Sequence, residues 1–310
     1  MAIQKRRVFY RGLVLGLILL LLLLAGCGRQ EQATPTGKQD SYPLTLKDSF
    51  NREVKIDKAP QRIVSLAPSN TEILFALGLG DKIVGVTKYC DYPAEAKTKE
   101  QVGGFSDPSV EKIVALKPDL VVATGMHEKV VKQLEELKIP VLAVNPKQFD
   151  EVYATIELLG KATGTQKKAA EVVAQMKARV EDIAKKVSGK GQPKVFYEVW
   201  DEPLMTAGPG TFINDLIVRA GGTNIAADAQ KAYPEYSLEL LLQRDPEIII
   251  FPSGKNTPEK IMSRPGWQNI SAVKNKRVVM VDGNLVSRPG PRLVDGLELF
   301  AKAIHPEAFK

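Results

Sequence analysis

Thr165–Ser188, TQKKAAEVVAQMKARVEDIAKKVS, runs for 24 residues without Gly or Pro. Its apolar positions Val172, Val173, Met176, Val180, Ile183, Ala184 and Val187 recur with the 3.6-residue period of one helix face. Lys167, Lys168, Glu171, Lys177, Arg179, Glu181, Asp182, Lys185 and Lys186 fall on the other face. Gly164 precedes the run, and Gly189, Gly191 and Pro193 follow it, so both ends are punctuated. A helix of this length spans about 36 Å, roughly the diameter of a small domain.

The chain resembles itself on either side of this helix. Ser109-Val-Glu-Lys-Ile-Val-Ala-Leu-Lys-Pro-Asp-Leu-Val-Val122 precedes it, and Ser237-Leu-Glu-Leu-Leu-Leu-Gln-Arg-Asp-Pro-Glu-Ile-Ile-Ile250 follows it. In both, Ser is placed to cap a helix, and a Glu in the first turn suits the helix dipole. Pro then stops the helix before a strand of buried aliphatics. The expected architecture is therefore two related α/β halves joined by one helical strut.

At the N-terminus, Lys5, Arg6, Arg7 and Arg11 precede an apolar run from Leu13 to Ala25. This pattern is that of a secretory signal, and the run is short for a membrane span of about 20 residues. Leu24-Ala-Gly-Cys27 resembles a bacterial lipobox, in which Cys27 would be lipidated and become the mature N-terminus. Residues 28 to 42 read as a polar, flexible tether. Removing residues 1–26 takes four of the 43 Lys+Arg residues and none of the 36 Asp+Glu, so the net charge falls from +7 to +3. No basic cluster remains to suggest nucleic acid. Cys90 is the only other cysteine and is expected in the core or at a pocket edge.

Leu44–Ile56 alternates around Phe50-Asn-Arg52 as a β-hairpin does. Short apolar runs at 63–66, 83–86, 120–123, 141–144, 195–200, 247–251 and 278–281 read as strands. Helical segments lie between them, one opening at Pro68-Ser-Asn-Thr-Glu72 and another closing the chain over Pro291–His305. Such alternation argues for parallel sheets covered on both faces. The expected division is signal 1–26, tether 27–42, first lobe 43–160, linking helix 161–190 and second lobe 191–310.

Catalytic and cofactor signatures are lacking. There is no Gly-x-Gly-x-x-Gly, P-loop or Gly-x-Ser-x-Gly, no metal-ligand spacing, and no nucleophile with an evident base. The chain therefore reads as a non-enzyme without a cofactor. His305 is expected to be structural, and His127 follows a strand end where ligands can bind. Aromatic residues concentrate in loops after strands: Tyr89, Tyr92 and Phe105 in the first half, Trp200, Tyr233, Tyr236 and Trp267 in the second. Two such rims facing each other would wall a slot for a large, flat, partly apolar ligand. Trp267 is expected to pack beneath the last strands. Arg288-Pro-Gly-Pro-Arg292 is a stiff turn carrying two guanidinium groups.

Ala59–Glu72 (APQRIVSLAPSNTE), Tyr89-Cys-Asp-Tyr-Pro93, Glu111–Asp119 and Arg288–Arg292 together resemble class III solute-binding proteins of bacterial ABC importers, which take up iron chelates, haem and cobalamin. The resemblance is strongest to the cobalamin-binding branch and implies two Rossmann-like lobes with parallel sheets on a single long helix. Carried across residue by residue, it places Tyr89, Phe105, Met205, Tyr233 and Arg288 at a corrinoid pocket. Tyr92 and Trp200 join them from the aromatic reading above. It places Glu111 and Glu239 where such proteins meet the permease dimer, so the repeat would match a pseudo-twofold surface to a twofold partner. The implied protein is a monomer, lipid-anchored outside the cell membrane, that delivers cobalamin or a related corrinoid to the importer. A ferric siderophore or haem is the alternative cargo, with Tyr89 or His127 as possible axial ligands.

Overall fold

Apolar runs with no polar alternation have no face to offer solvent, and the chain buries them between layers. The computed structural model describes residues 42–310; the expected signal, tether and lipidation at Cys27 lie outside these described residues. Strands β1 (Leu44–Lys47) and β2 (Glu53–Ile56) form the antiparallel hairpin, with Leu44 opposite Ile56 and Lys47 opposite Glu53. Leu44, Leu46, Val54 and Ile56 point inward while their neighbours face water. Asn51 turns the chain at φ 61°, and the Asp48 carboxylate accepts the Phe50 and Arg52 amides at 2.9 and 3.0 Å.

The first lobe is a parallel sheet of β3 (Ile63–Ser65), β4 (Ile83–Val86), β5 (Glu100–Gln101), β6 (Leu120–Thr124) and β7 (Val141–Val144) in the order β5-β4-β3-β6-β7. The second holds β8 (Lys194–Asp201), β10 (Thr223–Asn224), β11 (Ile248–Pro252) and β12 (Val278–Val281) in the parallel order β10-β8-β11-β12. Strand β9 (Leu204–Thr206) turns back antiparallel on β8. Matching β4-β3-β6-β7 with β10-β8-β11-β12 superposes the two orders, so the sequence repeat is also a repeat of topology.

Within each twin segment the local physics is as the residue types dictate. Ser109 Oγ accepts the Lys112 amide at 3.3 Å and caps the helix Val110–Ala115. Ser237 Oγ accepts the Leu240 amide at 3.1 Å and caps Leu238–Arg244. Those helices lead into β6 and β11, which hold equivalent places in their sheets. At Pro68–Ala76 the outcome differs. Ala67 is the N-cap and makes no side-chain cap, and Asn70, Thr71 and Glu72 are buried rather than free to satisfy the helix end.

The long helix covers Gln166–Val187. Ala169, Val172, Val173, Met176, Ile183 and Val187 are buried; Val180 is half-buried and Ala184 faces water. It does not stand alone. The helix Phe149–Thr163 ends at Gly164 in the left-handed region, and a Cβ on Gly160 would approach the Ala169 Cβ to 2.5 Å. Glycine at 160 is thus what lets the two helices cross closely. Arg179 then ties the long helix to the second lobe through Asp295 at 2.6 Å and Glu298 at 3.0 Å.

Alternate strand residues serve two different layers. Ile63, Val122 and Leu142 of the first sheet and Val195, Ile248 and Ile250 of the second share one continuous apolar core with the buried face of the long helix. Val64, Val121 and Ala143 turn to an outer layer on the first lobe. Phe196, Ile249 and Phe251 do the same on the second, where Trp267 and Tyr236 join them. Trp267 therefore packs as expected, whereas Tyr236 is a core residue and not a rim aromatic. Each fully buried aliphatic of the long helix contributes about 1.5–3 kcal/mol from burial. Among the described residues no helix is long and apolar enough to cross a membrane.

Met176→Ala is expected to destabilise the protein by about 2–5 kcal/mol, because the vacated space lies in the shared core. Ala184→Ser, on the exposed face, is expected to change stability by less than about 0.5 kcal/mol. Urea unfolding of the two variants checks the difference.

Candidate functional site

In open parallel sheets, ligands bind in the crevice outside the carboxyl ends of the strands. In the second lobe a cavity of roughly 410 Å³ opens at the ends of β8, β11 and β12. Tyr197 and Val199 reach it from β8, Pro252 from β11, and Gly283, Val286 and Ser287 from the helix Gly283–Ser287 after β12. Phe212 and Ile213 close one side, and Tyr233 stands at the mouth, 50% exposed. Burial raises the pKa of both Tyr197 and Tyr233, so these phenols stay protonated and offer hydrogen bonds without charge.

A smaller cavity of roughly 110 Å³ shares Val199 and Pro252 with the first. Trp200 lines it with Asp201, Lys255 and Asn256. The indole Nε1 donates to the Glu202 carbonyl at 2.8 Å, and the Lys255 ammonium lies 4.2 Å from the ring centroid. Lys255 also pairs with Asp201 at 2.9 Å, which holds that carboxyl below the usual range. Beneath them the buried Glu198 carboxylate receives Arg264, whose Nη2 donates at 2.9 Å, and the Asn256 amide at 3.0 Å.

The first lobe brings Tyr89 and Tyr92 to the turn that follows the cavity wall. Tyr89 is 52% exposed with Lys88 over its ring at 5.0 Å, and Tyr92 is 46% exposed with the Arg292 guanidinium 3.7 Å from its centroid. Phe105 is half-buried and meets His127 edge-on at 5.5 Å. His127 itself is buried. Its Nε2 donates to the Phe105 carbonyl at 2.6 Å, and its Nδ1 accepts the Thr124 amide at 3.0 Å. Burial lowers its pKa against the opposing pull of the Phe105 carbonyl, and both ring nitrogens are occupied, so His127 offers no free electron pair to a ligand. His305 is likewise buried, with Nε2 donating to the Gly221 carbonyl at 3.2 Å. Cys90 is buried with Sγ 3.2 Å from Thr71 Oγ1 and 3.3 Å from Thr87 Oγ1.

Where the lobes meet, a four-residue ion cluster joins them. Glu72 is 4% exposed. Its Oε1 and Oε2 receive Arg292 Nη2 and Nε at 2.6 and 2.9 Å, and Oε1 also receives Arg288 Nη1 at 3.1 Å. Arg288 Nη1 reaches Asp91 Oδ1 at 2.6 Å. The turn that carries both arginines sits directly on the first lobe, since a Cβ on Gly290 would lie 3.5 Å from the Ser69 carbonyl. Burial alone would lower the pKa of Arg288; Asp91 and Glu72 outweigh it and raise it. Glu72 raises that of Arg292. Taking one partner from such a buried pair leaves an uncompensated charge, at a cost of about 3–5 kcal/mol.

Of the residues expected at a ligand slot, Tyr233 lines the larger cavity and Trp200 the smaller. Tyr89 and Tyr92 meet the turn of Arg288 and Arg292, Phe105 packs on His127 and lines neither cavity, and Met205 is half-buried in β9, bridged to Glu235. Arg288 is turned toward Glu72 and Asp91, not toward open space. Glu111 and Glu239 are both exposed in the first turns of their helices, with no hydrogen-bonding or ion-pair partner for either side chain among the described residues. Sequence reasoning missed Tyr197, Phe212 and Ile213, which look like core, and the role of Glu72. Glu72 was legible only as an acid directly before the apolar run Ile73–Leu77 and as the last residue of the Ala59–Glu72 stretch.

The Asp91 carboxyl is held below its ordinary range, first by the hydrogen bond from Arg288. A depressed native pKa gives stability that is present above the unfolded value and lost as pH falls through the native one. The stability difference between wild type and Asp91→Asn is therefore expected to stay flat from pH 7 to 5 and to shrink below about pH 4. Denaturant titrations at stepped pH check this.

Known proteins share this arrangement. A family model described as "Periplasmic binding protein" matches residues 63–285, which takes in both sheets and the long helix. The chain is 42% identical to the uncharacterized ABC transporter substrate-binding lipoprotein YvrC of Bacillus subtilis (strain 168), over 96% of this chain and 98% of that protein. It is 32% identical to a vitamin B12-binding protein of Vibrio cholerae over 77% of this chain and 87% of that one. A solved structure from Staphylococcus epidermidis, described as a possible iron-binding (periplasmic solute-binding) protein, superposes with a TM-score of 0.74 at 37% identity, covering 80% of this chain and 100% of that one. Twin parallel sheets on a shared helical core, with a cavity at the strand ends and a family match spanning both, lead to one conclusion: the chain belongs to the periplasmic binding protein family.

Proposed function

We propose that this chain is the substrate-binding component of an ABC importer, that it works outside the cytoplasm tethered by a lipid on Cys27, and that its cargo is cobalamin or a related corrinoid. Proteins of this family bind and hand over a ligand and do not transform it. The observation that carries the cargo is the chemistry of the cavity. Its walls are mostly aromatic and aliphatic, its polar side chains are the neutral phenols of Tyr197 and Tyr233 and the Ser287 hydroxyl, and the guanidinium groups of the adjoining turn are already paired. Such a site suits a broad macrocycle decorated with amides. A plate wider than the cavity would extend over the exposed rings of Tyr89, Tyr92 and Trp200. The name of the Vibrio cholerae relative supports the same cargo. A ferric chelate or haem is the second reading, favoured by the description of the Staphylococcus epidermidis structure.

Glu111 and Glu239 are proposed to dock the permease. They are exposed, unpaired and equivalent under the topological repeat, so their charges are free for a twofold partner. Exposed ion pairs add only about 0–1 kcal/mol each, but complementary charge sets register and encounter rate.

Purified protein titrated with cyanocobalamin is expected to lose tryptophan fluorescence with a sub-micromolar midpoint, Trp200 being exposed at the site. No response to cyanocobalamin, with saturable binding of haem or a ferric chelate, would transfer the cargo to the second reading. For docking, Glu111→Ala with Glu239→Ala should abolish uptake in cells while ligand affinity stays unchanged; retained uptake would remove the docking role.

A further inference from the structure

Glu72 has more to do than hold two lobes together. A carboxylate buried between two guanidinium groups cancels their charge as well as fixing their position. The turn that bears Arg288 and Arg292 follows directly from Ser287 in the cavity wall. Left unpaired, they would be two planar, bidentate donors beside the cavity wall, the groups that capture carboxylates. Glu72 binds both, and Asp91 shares the Arg288 Nη1 with it, so the cluster carries two positive and two negative charges. Of the other cations nearby, Lys255 is paired with Asp201 and Arg264 with Glu198, and Lys88 is an exposed ammonium over Tyr89, a point charge without the bidentate fork of a guanidinium.

We propose that Glu72 is a specificity-determining residue: by sequestering Arg288 and Arg292 it closes the site to carboxylate-bearing ligands and leaves it to neutral, amide-bearing ones. The inference deepens the reading above and rests on the cavity being the ligand site. It does not depend on which macrocycle is the cargo. Charge selectivity then comes from a residue that touches no ligand, through the partners it withholds.

Matched ligand pairs test this. Dicyanocobinamide and dicyanocobyrinic acid share a corrin and differ in amides against carboxylates; haemin dimethyl ester and haemin share a porphyrin and differ in esters against carboxylates. The readout is the ratio of dissociation constants within a pair. Glu72→Gln is expected to shift the ratio toward the carboxylate member by about tenfold, the worth of one charge-assisted hydrogen bond. Adding Arg288→Gln and Arg292→Gln to that variant should abolish the shift. Arg288→Gln with Arg292→Gln alone, which leaves Glu72 uncompensated, should move the ratio about tenfold the other way, and this arm decides the matter if Glu72→Gln does not fold. A ratio within about twofold of wild type in folded variants, or a gain that survives loss of both arginines, overturns the proposal. Wild-type protein that binds haemin ester but not cobinamide would remove the corrinoid reading alone, and the porphyrin pair would still decide the role of Glu72.

Discussion

The constraint on which the rest depends is that a charge taken out of water must find its partners within the protein. Glu72 is such a charge. It sits on the first helix of one lobe, and its partners come from a turn 216 and 220 residues further on. Meeting them fixes the separation and the rotation of the two lobes at the edge where the strands end. The stiff Pro-Gly-Pro spacer between Arg288 and Arg292 presents two guanidinium planes to one carboxylate at little entropic cost. The pairing also decides what the cavity next to it offers a ligand, because donors already committed cannot be offered again.

Around that clasp the fold is a repeat resolved into layers. Each strand sends alternate residues to an outer layer of its own lobe and to the core shared with the long helix. The lobes are therefore joined by continuous apolar packing as well as by ions. The two are not equivalent in consequence. Apolar packing is non-directional and sets that the halves stay together; the ion cluster is directional and sets how. An assembly joined in this way is expected to move little as a whole and to respond to ligand mainly at its rim, where Tyr89, Tyr92 and Trp200 stand exposed.

Histidine and cysteine show how surroundings override residue type. His127 follows a strand end, where a ligand contact is a natural expectation, yet both of its nitrogens are spent on backbone groups. Cys90 lies within a motif of the rim but turns inward to two threonine hydroxyls. In each case the side chain satisfies a neighbour that sits close in space, and a buried polar group left unsatisfied would cost about 1–3 kcal/mol.

Most features that depend on spacing over a few residues are legible along the chain, the uncapped start of Pro68–Ala76 being an exception. The period of 3.6 at Val172–Val187, the serine caps at 109 and 237, the hairpin around Asn51 and the strands without a polar face are all local, and all are present in the structure. So is the repeat, since it is a comparison of two local patterns. Folding in three dimensions brings Glu72 to Arg288 and Arg292, lines a cavity with Tyr197 and Phe212 while Tyr236 fills a core, and packs Phe149–Thr163 along the long helix. The reason is physical. An acid at a helix start looks the same in sequence whether it caps the helix, faces water or is buried, and an aromatic at a strand end looks the same in core or cavity. What separates these outcomes is a partner from another element, for Glu72 one 216 or 220 residues away, and no local spacing encodes which partner folding brings near.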